Sequence, residues 1–326
     1  EGARLRESGF YDVQIITFST ITEASAKAIV YNRLIPVVSS LQDLSYLIYA
    51  ARGNKSFPIH LKVDTGMHRM GLPLDQVERA LELLKAQSSL ELEGVCTHLS
   101  DAEDIGNDQS ESLTQLNLFK SVVAATQSLQ PKFFHAYNSS GLFGIHSHGG
   151  SSPWRDFSQW GVRPGIALYG AHPSTSNPKT QKLIEGIGLK PAMTLKSRIA
   201  HIHKVKKGEA VSYGSIWRAS RDSTIATIPL GYADGIHRVL SNQGKIFHNE
   251  WGAPVVGTVC MDYFMVDITD WPDNQQKVGA EVEVYGHSFA ESRVEHWAKL
   301  AGTISYELLT NVSYRVPRQY LPTTNG

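Results

Sequence analysis

The sequence predicts a TIM-like α/β barrel that lacks its first two βα units, followed by a mainly-β domain. Three observations predict it. Short β-branched runs alternate with helical patterns over about the first 170 residues. Polar residues recur at the ends of those runs, and beyond them strands follow one another with hardly a helix between.

The expected strands of the first part are Val13 to Phe18, Leu34 to Val38, Ile59 to Val63, Leu92 to His98, Phe133 to Tyr137 and Ile166 to Tyr169. Between them Val77, Leu81 and Leu84, then Leu116, Phe119 and Val123, repeat at helical spacing, with Asp75 and Glu78 placed like a capping box. Six parallel strands suit either an open sheet or part of a barrel. Lys62 with Asp64, His98, Asn138 with Ser139, and Tyr169 with Gly170 decide for the barrel, because they fall at or just after the ends of four strands. No GxGxxG turn supports a dinucleotide fold. A barrel of eight strands would need two more βα units, about 60 residues.

Ala171 to Lys190, rich in Ser, Pro, Asn and Lys, reads as a connection, so domains of 1–188 and 189–326 are expected. The second holds strands at Leu195 to Val205, Ser223 to Leu230, Lys245 to His248, Ala253 to Ile268 and Glu281 to Tyr285, and a helix at Val294 to Leu300.

Composition narrows the function. Of 326 residues 41% are apolar, enough for a large core. Lys plus Arg and Asp plus Glu number 31 each, so no basic field draws nucleic acid or an anionic membrane. No apolar run reaches spanning length. Cys96 and Cys260 lack CxxC spacing, which points to two buried thiols, no metal site and a reducing, cytoplasmic setting.

Two segments carry candidate chemistry. In His60-Leu61-Lys62-Val63-Asp64-Thr65-Gly66-Met67-His68-Arg69-Met70-Gly71, two glycines bracket charged groups, and Arg69 can grip a carboxylate through its guanidinium fork; the alternative is a surface arginine beside a turn. In Val162 to Gly170, the N–H groups of Gly165 and Ile166 with the Ser139 hydroxyl can cradle a phosphate, against the alternative of a bulge. His146 and His148 alternate as metal ligands can, without a third ligand at suitable spacing.

The blocks HLKVDTGMHRMG, THLSDAED, HAYNSSG, VRPGIALYG, VSYG, GYADG, VCMD and SYRVPR, in this order, resemble the alanine racemases over nearly the whole chain. The resemblance implies an eight-stranded barrel plus a β domain, pyridoxal 5'-phosphate as electron sink, and interconversion of L- and D-alanine for peptidoglycan. It implies Tyr213 as the base acting on L-alanine, His98 between that tyrosine and Arg163, and Arg163 facing the pyridine nitrogen. It assigns the cofactor to His98, Asn138, Ser139, Arg163, Gly165, Ile166 and Tyr306, and the substrate to Arg69, the Met261 N–H, Tyr232 and Tyr306. Lys62 matches a lysine that is carbamylated in some members; its rival is an unmodified lysine. The implied assembly is a homodimer whose sites are shared between subunits.

The family's cofactor lysine falls before Glu1, so activity is expected to need an upstream segment. The competing readings are a broad-specificity or serine racemase, an amino-acid decarboxylase, against which GYADG and VCMD argue, and a non-catalytic cofactor-binding relative.

Overall fold

The computed structural model describes residues 1–105, 110–147 and 160–321. They form two compact units: residues 1–165 with 175–186, and residues 166–174 with 187–326.

The first unit is a barrel-like run of βα steps. Its strands are β1 (Ile16–Thr17), β2 (Ile35–Val38), β3 (Phe57–Lys62), β4 (Leu90–Cys96), β5 (Phe133–Asn138) and β6 (Trp160–Arg163). They lie side by side in chain order and every pair is parallel. A doubly wound sheet would reverse direction at a switch point, and this one does not. Helices α1 (Gly2–Glu7), α2 (Glu23–Tyr31), α3 (Leu41–Ala50), α4 (Val77–Lys85), α5 (Glu111–Thr126), α6 (Ser139–Ser147) and α7 (Pro178–Ile187) accompany them. All four residues of β2 are buried, as a strand covered on both faces requires. Thr22, Ser40 and Ser110 cap α2, α3 and α5 by accepting a backbone N–H of the first turn. Leu44, Leu47, Ile59, Leu61, Leu116 and Phe119 are fully enclosed in the core.

The second unit joins seven antiparallel strands in the order β7-β15-β12-β13-β14-β11-β8. These are β7 (Leu195–Arg198), β8 (His201–Val205), β11 (Ser223–Ile228), β12 (Lys245–His248), β13 (Trp251–Val256), β14 (Phe264–Asp267) and β15 (Glu281–Tyr285); β9 (Ala210–Val211) pairs with β10 (Trp217–Arg218) apart from them. Asn249, in left-handed conformation, turns β12 into β13. Helices α8 (Val294–Ala301) and α9 (Ser305–Asn311) follow, and Trp297 of α8 is buried among Val284, Tyr285 and Leu308 in this unit's core.

Several expectations needed revision. Ile166–Tyr169 is a 3-10 turn, and the sixth strand runs earlier, at β6. Pro164, with no N–H to give, and Gly165 end it. The stretch from Ala171 to Lys190 contains α7 rather than plain connection. Asp75 and Glu78 form no capping box: a 3-10 turn at Leu74–Gln76 leads into α4, and neither N-terminus has a side-chain cap. Leu195 to Val205 divides into β7 and β8 where the chain changes partner, Ile199 bonding Ala280 and Ala200 bonding Thr227. Gly257, at φ +77°, ends β13 before β14 begins.

Candidate active site

In the first unit the chemistry collects at the C-terminal ends of adjacent strands. Lys62 is the last residue of β3, His98 follows β4 by two residues, Asn138 ends β5, Ser139 opens α6 and Arg163 ends β6. Arg163 is the hub. Its Nη1 donates to His135 Nδ1 at 2.7 Å, and its Nη2 faces the Thr97 carbonyl at 2.9 Å, the Ala136 carbonyl at 3.1 Å and His98 Nδ1 at 3.2 Å. Every partner is neutral. Burial and the Arg163 charge push His98 down to about 4, with Arg69 and Lys62 acting the same way. A neutral His98 whose Nδ1 accepts from Arg163 carries its proton on Nε2.

This arrangement fits a pyridine ring nitrogen. The Arg163 Nε–H and one Nη1 hydrogen have no acceptor among the described residues, and a guanidinium donates a hydrogen bond without surrendering a proton. At the expected phosphate end the predicted groups meet one another. Gly165 donates its N–H to Ser139 Oγ at 2.9 Å, and a Cβ on Gly165 would meet nothing within 4 Å, so the approach is open. Asn138 Oδ1 accepts the Gly141 N–H at 2.9 Å, bracing the first turn of α6.

Arg69 rides on a loop closed at its neck. Leu72 N–H donates to the Lys62 carbonyl at 2.8 Å, and Asp64 N–H to the Leu72 carbonyl at 3.0 Å. Inside the loop Asp64 Oδ1 accepts from Gly66 N at 3.0 Å and His68 N at 3.1 Å. Gly71, at φ +139°, is obligatory there, for a Cβ would lie 2.6 Å from Asp64 N. The Arg69 side chain is exposed and pairs with no carboxylate among the described residues. Lys62, by contrast, is buried; burial lowers its pKa, and the Arg69 and Arg163 cations lower it further while Cys96 and Asp64 oppose them.

The second unit brings together motifs that are distant in sequence. Tyr232 N bonds the Cys260 carbonyl and Ala233 N the Met261 carbonyl, both at 3.0 Å. Gly231 permits this, since a Cβ there would lie 2.2 Å from the Met261 oxygen. Arg315 then ties Asp262 at 2.7 Å to Asp234 at 3.5 Å, joining GYADG, VCMD and SYRVPR. The Met261 N–H has no acceptor among the described residues. Tyr213 is 72% exposed and borders a cleft of about 520 Å³ that Ser212, Cys260, Tyr263 and Met265 also line. Tyr232 and Met261 are exposed, and Tyr306 lies half-buried on α9. Ile166 is buried.

Other expectations fared unevenly. Cys96 is buried, its thiol pushed up to about 11 by burial, but Cys260 is only half-buried. His146 Nδ1 approaches the Leu142 carbonyl of its own helix at 2.8 Å, while His148 lies outside the described residues. Sequence reasoning missed His60, His135 and Gln115. The histidines stood inside two quoted motifs, two residues before Lys62 and three before Asn138. Gln115, buried on α5, holds the His98 carbonyl at 3.1 Å and Ser100 N at 2.9 Å, and nothing local marks it.

Comparison with known proteins agrees with both units. Residues 1–173 match the family model described as alanine racemase, N-terminal domain, and residues 192–320 that described as alanine racemase, C-terminal domain. An alanine racemase of Carboxydothermus hydrogenoformans is 38% identical, over 98% of this chain and 83% of that protein. The solved alanine racemase of Streptomyces coelicolor A3(2) superposes with TM-score 0.85 at 32% identity, covering 98% of this chain and 82% of that one. A Bartonella henselae alanine racemase with covalently bound pyridoxal phosphate gives TM-score 0.79 at 28% identity, covering 98% and 82%.

Proposed function

This chain belongs to the alanine racemase family, and from that premise we propose that it interconverts L- and D-alanine with pyridoxal 5'-phosphate. The observation that carries the reading is Arg163, a partly buried cation among neutral acceptors with N–H groups to spare. The cofactor, when bound, supplies the electron sink that makes the substrate's α proton removable. Arg163 would meet its ring nitrogen and, by keeping its own protons, leave that nitrogen unprotonated. Asn138, Ser139, Gly165, Ile166 and Tyr306 are the proposed cofactor-holding residues.

Tyr213 is the proposed base toward L-alanine. His98, with its proton on Nε2, is a donor suited to stabilising the phenolate that such a base needs. Arg69 and the Met261 N–H are proposed to hold the substrate carboxylate, both having donors to offer. A carbamylated Lys62 would turn a cation into an anion able to orient Arg69, and its lowered pKa favours the neutral amine that reacts with carbon dioxide. Tyr232 and Tyr306 are proposed to narrow the entrance, where bulk favours alanine over larger amino acids. None of this chain's lysines is assigned the base on the opposite face.

Tyr213, Met261 and Tyr232 would serve the partner's site in a homodimer. The two free thiols suit a reducing cytoplasm, where D-alanine for peptidoglycan is made. The test is α-proton exchange from L-alanine in deuterated water, with cofactor added, using residues 1–326 and an upstream-extended chain. Exchange abolished by Tyr213→Phe supports the reading. No exchange by either chain favours the non-catalytic relative, and exchange from serine at equal efficiency the broad-specificity one.

A further inference from the structure

Behind Arg163 lies a buried polar chain to which the proposed reaction assigns no part. His135 Nε2 is 2.7 Å from His60 Nδ1, and His60 Nε2 faces Glu93 Oε2 at 3.7 Å. Glu93 Oε1 in turn accepts from Gln14 Nε2 at 3.1 Å, with Lys132 Nζ 4.0 Å away. His60, His135 and Glu93 are all at least 95% buried. Each strand supplies one member: β3 carries His60, β4 Glu93, β5 His135 and β6 Arg163.

The direction of every bond is forced. Arg163 can only donate, so His135 Nδ1 must accept. A neutral His135 then has its hydrogen on Nε2 and donates to His60 Nδ1. His60 likewise keeps its hydrogen on Nε2, aimed at the one carboxylate that ends the run. His60 Nε2 and Glu93 Oε2 have no hydrogen-bond partner among the described residues; at 3.7 Å they face each other as an electrostatic contact longer than a hydrogen bond. Both rings stay neutral: burial and Arg163 hold His60 at about 4 and His135 well below the usual imidazole range.

We propose that Glu93, His60 and His135 are positioning residues that anchor Arg163, a one-way line running from the guanidinium by hydrogen bonds through two neutral imidazoles to a carboxylate that the last N–H faces at 3.7 Å. Two rings separate the cation from its anion. The guanidinium is thus oriented and polarised without a carboxylate in contact, which would otherwise compete for the N–H groups turned toward a ring nitrogen. The consequence for the reaction rests on the racemase reading; the bond directions do not.

The full chain, labelled with ¹⁵N-histidine and without cofactor, provides the test. Two-bond ¹H–¹⁵N correlations should show His60 and His135 as neutral Nε2–H rings from about pH 5.5 to 8. Assignment uses His60→Gln and His135→Asn. Glu93→Gln keeps an acceptor and Glu93→Leu removes it. Both should move the His135 resonances, although residue 93 does not touch that ring. Glu93→Leu, which leaves the His60 Nε2–H without its facing carboxylate, should lower kcat about tenfold, with KM nearly unchanged and Glu93→Gln intermediate. A Nδ1–H ring, a ring titrating near pH 6.5, or His135 resonances indifferent to residue 93 would overturn the chain. If Glu93→Leu fails to fold, the wild-type tautomers and the Gln variant still decide. Failure of both residues 1–326 and the upstream-extended chain to racemise sinks the functional reading and leaves the ring resonances to judge the chain alone.

Discussion

Thr258 donates its hydroxyl to the backbone carbonyl of Tyr213 at 2.7 Å. The turn it holds is strained: Ser212 sits at φ +69°, ψ −178°, and Ser215 at φ +51°. Ser212 Oγ, bonded to the Thr258 carbonyl at 2.7 Å, closes the clamp. Such a conformation persists only where its surroundings enforce it.

Removing that hydroxyl should misplace the phenol. Thr258→Val is expected to lower kcat for L-alanine about fivefold, while Thr258→Ser, which keeps the donor, restores it. Isotope exchange started from each enantiomer is the measurement, and the loss should be larger from the L side.

Arg69→Lys should raise KM for alanine about tenfold with little change in kcat, because an ammonium cannot reproduce the planar fork. Steady-state kinetics with both enantiomers checks it. A kcat loss at constant KM would remove Arg69 from the carboxylate.

Stability should fall with acid. His60 and His98 are held at about 4, below an ordinary histidine. Between that value and about 6.5 the unfolded chain takes up protons that the folded chain refuses, so stability is full above about pH 6.5 and declines toward pH 4. Denaturant midpoints across this range should therefore drop with pH, and His60→Gln should flatten the slope.

Gly94→Ala should destabilise the protein. The His60 ring fills the space a Cβ would occupy, with Nδ1 and Cε1 2.6 Å from it. Moving a locked imidazole or a buried strand should cost on the order of 1–3 kcal/mol. Thermal unfolding measures the loss, and the altered His60 resonance locates it.

The strands of the first unit were legible because each is a short apolar run ending in a polar residue that water or a ligand must meet. Lys62, His98 and Asn138 stand at or just after strand ends as expected, whereas Tyr169 and Gly170 do not, because Ile166–Tyr169 is a 3-10 turn and Arg163 ends the strand instead. Pro164 and Gly165 concealed the sixth strand, since VRPG ends one while the following IALY has the composition of another. Gln115 and Glu93 were invisible for a different reason. Their parts depend on register between strands and on one helix rotation, which no local spacing encodes. Gly94 was the available clue, a glycine inside a strand opposite His60.

The neck that joins Lys62 and Asp64 to Leu72 bears on time as well as shape. If Arg69 holds the substrate carboxylate as proposed, that group meets backbone already in its final course, so association should need no preceding isomerisation. Observed binding rates should rise linearly with ligand concentration and show a single phase, and little affinity is forfeited to loop ordering.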